Sequence, residues 1–114
     1  MYGIASTQGG GILAATALGL KASNDMGVSW HSVRGELETD TIQAICRHPR
    51  RADSLFAAKY GVIYASIDAG RSWKRISPEA WPVISVKQLT VLMGTPGRLL
   101  VLTHQQGVWE LPLT

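Results

Sequence analysis

The sequence predicts an all-β protein built from repeated units of short antiparallel strands. A pattern of five residues recurs once, with every matched position shifted by 43 residues. Segments between the matched positions are short and rich in β-branched, aromatic and small apolar residues, which is typical of strands. The 114 residues are 46% hydrophobic and 17% charged, a composition of folded proteins rather than disordered ones. We therefore expect a folded domain with a repeating β architecture.

The repeated pattern is Ser-x-Asp-x-Gly-x-Ser-Trp, at residues 23–30 and 66–73. Its matched residues are Ser23, Asp25, Gly27, Ser29 and Trp30 in the first copy, and Ser66, Asp68, Gly70, Ser72 and Trp73 in the second. An aspartate can accept hydrogen bonds from the N–H groups of a tight turn, and a glycine tolerates the positive φ that such a turn needs. We expect both copies to be structural turns, with each tryptophan starting a strand and buried between neighbouring hairpins.

The second unit predicts four strands, at residues 41–47, 54–59, 62–66 and 72–76. Alternation in the first of these places Ile42, Ala44 and Cys46 on one face. Pro49 cannot donate a hydrogen bond to a sheet ladder, so the segment around it is predicted to be a connection. Four short strands joined by tight turns predict an antiparallel meander.

The flanking segments repeat this unit less completely. The first unit has a candidate inner strand at 2–6 and a turn at 8–11, and the third has strands at 86–93, 98–103 and 107–111 with no outer strand. Four strands in a period of about 40 to 45 residues is the pattern of a β-propeller blade. The sequence predicts one domain, 1–114, with a blade at about 2–34, a second at about 41–77 and an incomplete third at about 84–111.

The motif resembles the Asp box, or bacterial neuraminidase repeat. This repeat occurs in sialidases, xyloglucan-active glycoside hydrolases, sortilin-type receptors and photosystem II assembly factors, and relatives that carry it are often extracytoplasmic. The resemblance implies a propeller scaffold, or a fragment of one, and does not imply a particular activity. Met26 and Ala69 stand where many members of the family have a second glycine, a departure that we expect the turn to tolerate.

A ligand face is predicted on the side of the sheets opposite the Asp-box turns, where the segments 34–40 and 77–82 connect the blades. Candidate residues on this face are Glu36, Glu38, Asp40, Trp81, His104 and Gln105. The acidic residues are either a solvated linker or paired carboxylates for glycoside hydrolysis, which needs an acid and a base or nucleophile. Trp81 is either a platform for a sugar ring or is buried against the adjacent blade. No residue is assigned a catalytic role.

No metal or cofactor site is predicted. Cys46 is the only cysteine, so no disulfide can form within the chain, and we expect its side chain to be buried as a small apolar group. The histidines, His31, His48 and His104, share no ligand spacing. Phosphate-binding and nucleophile-elbow motifs are also missing from the sequence.

The net charge of +3 favours acidic partners only weakly. Positive charge is densest at residues 47–51, a segment that we interpret either as a solvated loop or as an anion-binding patch. Nucleic acid is not a favoured partner. The sequence has no apolar stretch of about 18 residues and no signal-peptide pattern, so a soluble chain without a membrane span is expected.

Three units are too few to close a propeller, which typically has at least four blades. We therefore expect either a homo-oligomer, such as two chains in a ring of six blades, or the remainder of a larger propeller to cover the terminal sheets. The predicted function is a non-catalytic binding or assembly module for a protein or carbohydrate. The alternative is a fragment of a sialidase-like or xyloglucan-active glycoside hydrolase.

Overall fold

The computed structural model describes residues 3–7, 11–35, 37–51, 53–79, 81, 85–94 and 97–113. Within these residues the chain forms eleven strands in three antiparallel sheets and no helix. The first sheet contains β1 (Gly3–Ser6), β2 (Ile12–Thr16), β3 (Gly19–Ser23) and β4 (His31–Ser32); the second contains β5 (Ala44–Arg47), β6 (Leu55–Lys59), β7 (Val62–Ser66) and β8 (Lys74–Arg75); the third contains β9 (Val86–Leu92), β10 (Arg98–Thr103) and β11 (Val108–Pro112). The all-β fold with an incomplete last meander is confirmed.

The sheets correspond to each other residue by residue. In the first sheet Leu13 pairs with Ala5 of β1 and Ala22 of β3. In the second sheet Phe56, which lies 43 residues after Leu13, pairs with Cys46 and Ala65. Each described strand residue of the first sheet therefore has a counterpart in the second, 43 residues later in β6 to β8 and 41 residues later in β5.

Two apolar clusters hold the three sheets face to face. The cluster between the first and second sheets consists of Ala5, Leu13, Ala15, Leu20, Leu37, Ile42, Ile45, Leu55 and Ala57. The cluster between the second and third consists of Ala44, Phe56, Ala58, Ile63, Val86, Leu89, Leu99, Val101 and Leu111. The inner strands also contact in order, β1 with β5 and β5 with β9, so the sheets are stacked around their first strands.

The segment before β5 differs from the prediction. Ile42 was expected on the same face as Ala44 and Cys46, but it lies in the first cluster while Ala44 lies in the second. The Ile42 N–H donates to the carbonyl of Thr16 in the first sheet at 2.9 Å, so residue 42 still belongs to the connection. The strand begins at Ala44, and the alternation of faces applies only from there.

One face of the first sheet has no sheet packed against it among the described residues. Ile45 packs against the first sheet and is 8% exposed, whereas its counterpart Ile4 is 55% exposed. Trp73 packs against the same cluster, whereas its counterpart Trp30 is 40% exposed. The prediction that Trp30 is buried between hairpins is therefore wrong, because none of the described sheets packs on its side of the first sheet.

The two Ser-x-Asp-x-Gly-x-Ser-Trp turns contain backbone strain that the sequence prediction did not include. Gly27 and Gly70 have φ of 90° and 91°, as expected, but Met26 and Ala69 also have positive φ, 62° and 63°. The left-handed region brings Cβ close to the following carbonyl and costs a non-glycine residue about 1–2 kcal/mol. The position before the motif glycine thus needs a left-handed conformation, which a side chain adopts here with strain.

We expect Ala69→Gly to raise the free energy of unfolding by about 0.5–1 kcal/mol, and Met26→Gly to act in the same direction. Glycine removes the left-handed strain, which outweighs the entropy that it adds to the unfolded chain. Urea denaturation measures the change. Ala17→Gly is the control, because Ala17 is an exposed turn residue without positive φ, and there glycine should lower stability. Equal effects at positions 17 and 69 would contradict the explanation.

Candidate functional site

The two Ser-x-Asp-x-Gly-x-Ser-Trp turns have the same hydrogen bonds in both copies. The Ser23 hydroxyl donates to Asp25 Oδ1 at 2.8 Å and accepts from the Gly27 N–H at 2.9 Å. The Ser66 hydroxyl makes the equivalent bonds to Asp68 and Gly70 at 2.7 and 2.8 Å. Both serines are almost fully buried, so each hydroxyl satisfies polar groups at the base of its turn.

The motif aspartates are fully engaged in their own turns. Asp25 Oδ1 accepts from the Ser29 N–H at 2.9 Å and Oδ2 accepts from the Ser29 hydroxyl, and Asp68 binds Ser72 in the same way. The serine hydroxyl and N–H bonds lower the pKa of each aspartate from 3.8 to about 2. A carboxylate held ionised by turn donors serves the turn and is unsuited to proton transfer at neutral pH.

The acidic segment on the opposite side is tied to the second sheet. Asp40 Oδ2 lies 3.3 Å from Lys59 Nζ, and Asp40 Oδ1 accepts from the Tyr60 hydroxyl at 3.2 Å. Glu38 is half-buried, and Glu36 lies outside the described residues. The structure thus gives Asp40 a linking role between the first connection and the β6–β7 turn.

The remaining candidates for the predicted ligand face lie near the β10–β11 turn; they are Trp81, His104 and Gln105. The rings of Trp81 and Trp109 are 5.1 Å apart at an angle of 53°, and both pack against the cluster between the second and third sheets. The His104 N–H donates to the Ser85 carbonyl at 3.1 Å, which fixes the turn against the start of β9. His104 and Gln105 are exposed, whereas Trp81 is half-buried against a neighbouring ring.

A groove of about 600 Å³ lies between the second and third sheets, on the side of the Ser-x-Asp-x-Gly-x-Ser-Trp turns. Its apolar lining comes from both sheets and from the C-terminal segment: Phe56, Ala65, Ile67, Ile76, Met93, Pro112 and Leu113. The β5–β6 loop adds His48, Arg50 and Arg51 to the same groove. It therefore combines an apolar surface with a cationic edge, on the face that the sequence had not favoured for binding.

The charge at the edge of the groove comes from the arginines. Burial and the nearby charges of Arg51 and Arg50 lower the pKa of His48, so its imidazole is neutral at pH 7. His48 Nδ1 accepts from the Arg50 N–H at 3.1 Å, which holds the loop in place. Arg47 points elsewhere, since its guanidinium contacts the carbonyl and hydroxyl of Ser6 at 3.4 Å. Arg50 and Arg51 are thus the exposed cations of this loop.

Cys46 is half-buried beside the second cluster, and desolvation raises the pKa of its thiol to about 12. The thiol is therefore not a nucleophile at neutral pH. In the described part of the chain no group of three or more His, Cys, Asp or Glu side chains is placed to hold a metal ion. Nor does that part contain a helix long and apolar enough to cross a membrane.

Comparisons with solved structures identify the arrangement of the sheets. An ancestral GH74 enzyme superposes with a TM-score of 0.75 at 19% identity, over 96% of this chain and 17% of that one. YCF48 bound to a D1 peptide superposes with 0.69 at 11% identity, over 96% and 36% of the two chains. The GH74 enzyme of Niastella koreensis gives 0.65 at 17% identity, over 99% and 21%. These neighbours are β-propellers.

The chain folds as part of a β-propeller. Among the described residues its three sheets do not close a ring. The chain spans between about a sixth and about a third of the length of these propellers. No family model and no curated protein matches the sequence at a significant level. The likeness establishes the fold of this propeller segment and leaves its activity open.

Proposed function

We propose that this chain is a non-catalytic binding and assembly module on a propeller scaffold, with a blade at about 2–34, a second at about 41–77 and an incomplete third at about 84–111. The observation that supports it most is the groove between the second and third sheets, which joins apolar side chains of two blades to Arg50 and Arg51. The Asp boxes form the turns of this scaffold.

The lining of the groove favours a protein segment over a sugar. Its surface is aliphatic around Ile67, Ile76 and Met93, whereas sugar sites usually present the open face of an aromatic ring. Acidic and apolar side chains in an extended peptide would complement the arginines and this surface together. YCF48, a similar propeller, was solved with a peptide bound, so the fold accommodates a ligand of this class.

The alternative of a glycoside hydrolase fragment has less support from the geometry. Two of the similar structures are GH74 enzymes, but their likeness extends only to the fold. The candidate carboxylate Asp40 is paired with Lys59 and bound by Tyr60, where it links two parts of the scaffold. An acid and base flanking a sugar bond need two carboxyl groups facing a common space.

Selection from a random-peptide library tests the proposed function. The wild-type chain should enrich peptides that combine Asp or Glu with apolar residues, and fluorescence anisotropy should show binding weakened at least about tenfold by Arg50→Glu with Arg51→Glu. Arg34→Glu with Arg71→Glu is the matched control, because these exposed arginines lie outside the groove. Equal binding by both double variants, or hydrolysis of xyloglucan by the wild-type chain without peptide enrichment, would contradict the proposal.

A further inference from the structure

A second groove, of about 550 Å³, lies between the first and second sheets. It repeats the position of the groove between the second and third sheets, because Leu13 lines it where Phe56, 43 residues later, lines the other. The chemistry of the lining differs, since Asn24 takes the place of Ile67. We call this second groove the polar groove; its polar lining includes Thr7, Asn24, His31, Arg34 and Arg71.

Two arginines are shared between the polar groove and a neighbouring cavity. Arg34 and Arg71 line both the polar groove and a cavity of about 490 Å³ whose lining also includes Lys59 and Trp73. Arg34 follows the last strand of the first sheet, and Arg71 belongs to the turn before the last strand of the second. The boundary between the two cavities therefore receives one arginine from each sheet.

Both arginines extend from backbone that the packing of the two sheets holds in place. Arg34 follows Val33, whose N–H donates to a β3 carbonyl at 2.9 Å and whose side chain packs against the cluster between the sheets. Arg71 follows Gly70, where an added Cβ would lie 2.6 Å from Leu13 Cδ1, so this turn is in close contact with the first sheet. The packing of the sheets thus sets the separation of the two arginines.

Neither guanidinium group is bonded to another described residue. Arg34 and Arg71 are exposed, and their side chains make no hydrogen bond or ion pair within the described ranges. No acid among the described residues lines either cavity. The Asp68 carboxylate, in the same turn as Arg71, is already bound by Ser66 and Ser72. Two positive charges therefore face this space without a bonded counter-charge.

A phosphate group matches this combination of charge and hydrogen-bond donors. A phosphate monoester carries a charge of about −1.5 to −2 at pH 7 and three acceptor oxygens, so it can neutralise two arginines, whereas a carboxylate supplies a single charge. The planar guanidinium group binds phosphate oxygens through pairs of N–H donors. The Thr7 hydroxyl and the Asn24 amide make no side-chain hydrogen bond in the described part of the chain, and they supply neutral donors in the same groove.

We propose that the polar groove binds the phosphate group of a small phosphate monoester, with Arg34 and Arg71 as the main ligands of its oxygens. A volume of about 550 Å³ falls in the range of small-molecule sites, about 300–1,000 Å³. The site goes beyond the proposed function and does not depend on it, because its arginines lie outside the groove that contains Arg50 and Arg51.

NMR titration of the isotope-labelled chain with inorganic phosphate tests the proposed site. The Nε–H signals of Arg34 and Arg71 should shift saturably with phosphate, and sodium chloride at the same ionic strength should not reproduce the shifts. Arg34→Gln with Arg71→Gln should raise the phosphate dissociation constant at least about tenfold. Glycerol phosphate should bind the wild-type chain at least as tightly as inorganic phosphate, and weaker binding would contradict a site for a monoester.

The matched control for this experiment is Arg50→Gln with Arg51→Gln. These exposed arginines line the groove between the second and third sheets, so their loss should leave the affinity for phosphate unchanged. Binding of the acidic, apolar peptides should show the reverse dependence on the two pairs, so either proposal can fail while the other holds. A wild-type chain without saturable shifts, or an equal loss of phosphate affinity in both double variants, would overturn the phosphate site.

Discussion

Gly19→Ala is expected to lower the free energy of unfolding by about 4 kcal/mol, or to prevent folding, because two penalties combine at this position. Gly19 has a φ of 96°, which a side chain rarely adopts. A Cβ there would also overlap the carbonyl group of Glu38 in the connection to the second sheet. The overlapping atoms belong to the backbone and cannot rotate away, so the strand or the connection must move. Urea denaturation, or circular dichroism if the variant does not fold, measures the loss.

Gly107→Ala is the matched control for this prediction. Gly107 also has a positive φ, 80°, but no atom beyond its chain neighbours lies within 4 Å of the position of an added Cβ. We expect a cost of about 1 kcal/mol from backbone strain alone. Similar losses of unfolding free energy for the two variants would show that the close approach of Glu38 contributes nothing to the cost at position 19.

Trp73→Ala is expected to destabilise the folded monomer by about 2 kcal/mol, several times more than Trp30→Ala. Both indoles donate to a glycine carbonyl of their own turn, at 2.9 and 3.0 Å, so both variants lose the same hydrogen bond. Trp73 additionally packs against the cluster between the first and second sheets, whereas Trp30 is 40% exposed. The difference therefore measures the burial of one indole by a neighbouring sheet.

Urea denaturation of both variants measures the two losses of unfolding free energy. Equal losses of monomer stability for the two tryptophan variants would contradict the assignment of covered and uncovered faces.

Strand bounds were predicted well where they depend only on neighbouring residues in the sequence. The strands Val62–Ser66 and Arg98–Thr103 have the predicted bounds, because turns that contain glycine or aspartate delimit these runs of apolar residues. The outer strand predicted at 72–76 is shorter, only Lys74–Arg75, since Ser72 and Trp73 are still bound to the Asp-box turn. Hydrogen bonding by the turn, which the motif itself encodes, thus determines where the strand begins.

Features that depend on neighbouring sheets could not be predicted in the same way. Trp30 and Trp73 are identical in the repeat pattern and differ only in whether a sheet lies beside them. Ile42 continues the alternation of Ala44 and Cys46, but its N–H is bound to the first sheet, which turns its side chain into the other cluster. The burial and orientation of such side chains depend on contacts between repeats. The sequence of a single repeat carries no information about those contacts.

The candidate site was predicted only in part for the same reason. The basic run 47–51 was interpreted either as a loop or as an anion-binding patch, and this run was the sole sequence signal for the groove. What brings Arg50 and Arg51 beside Met93 and Leu113 is the packing of the third sheet on the second. The predicted acidic face, by contrast, has Asp40 engaged by Lys59 and Tyr60.

The molar mass of the wild-type chain in solution tests the proposed assembly role most directly. Light scattering over a range of protein concentrations should give twice the 12.3 kDa of one chain, with dissociation on dilution. A mass of 12.3 kDa at every concentration would contradict the account, because Ile4, Trp30 and Val108 would then remain exposed to water.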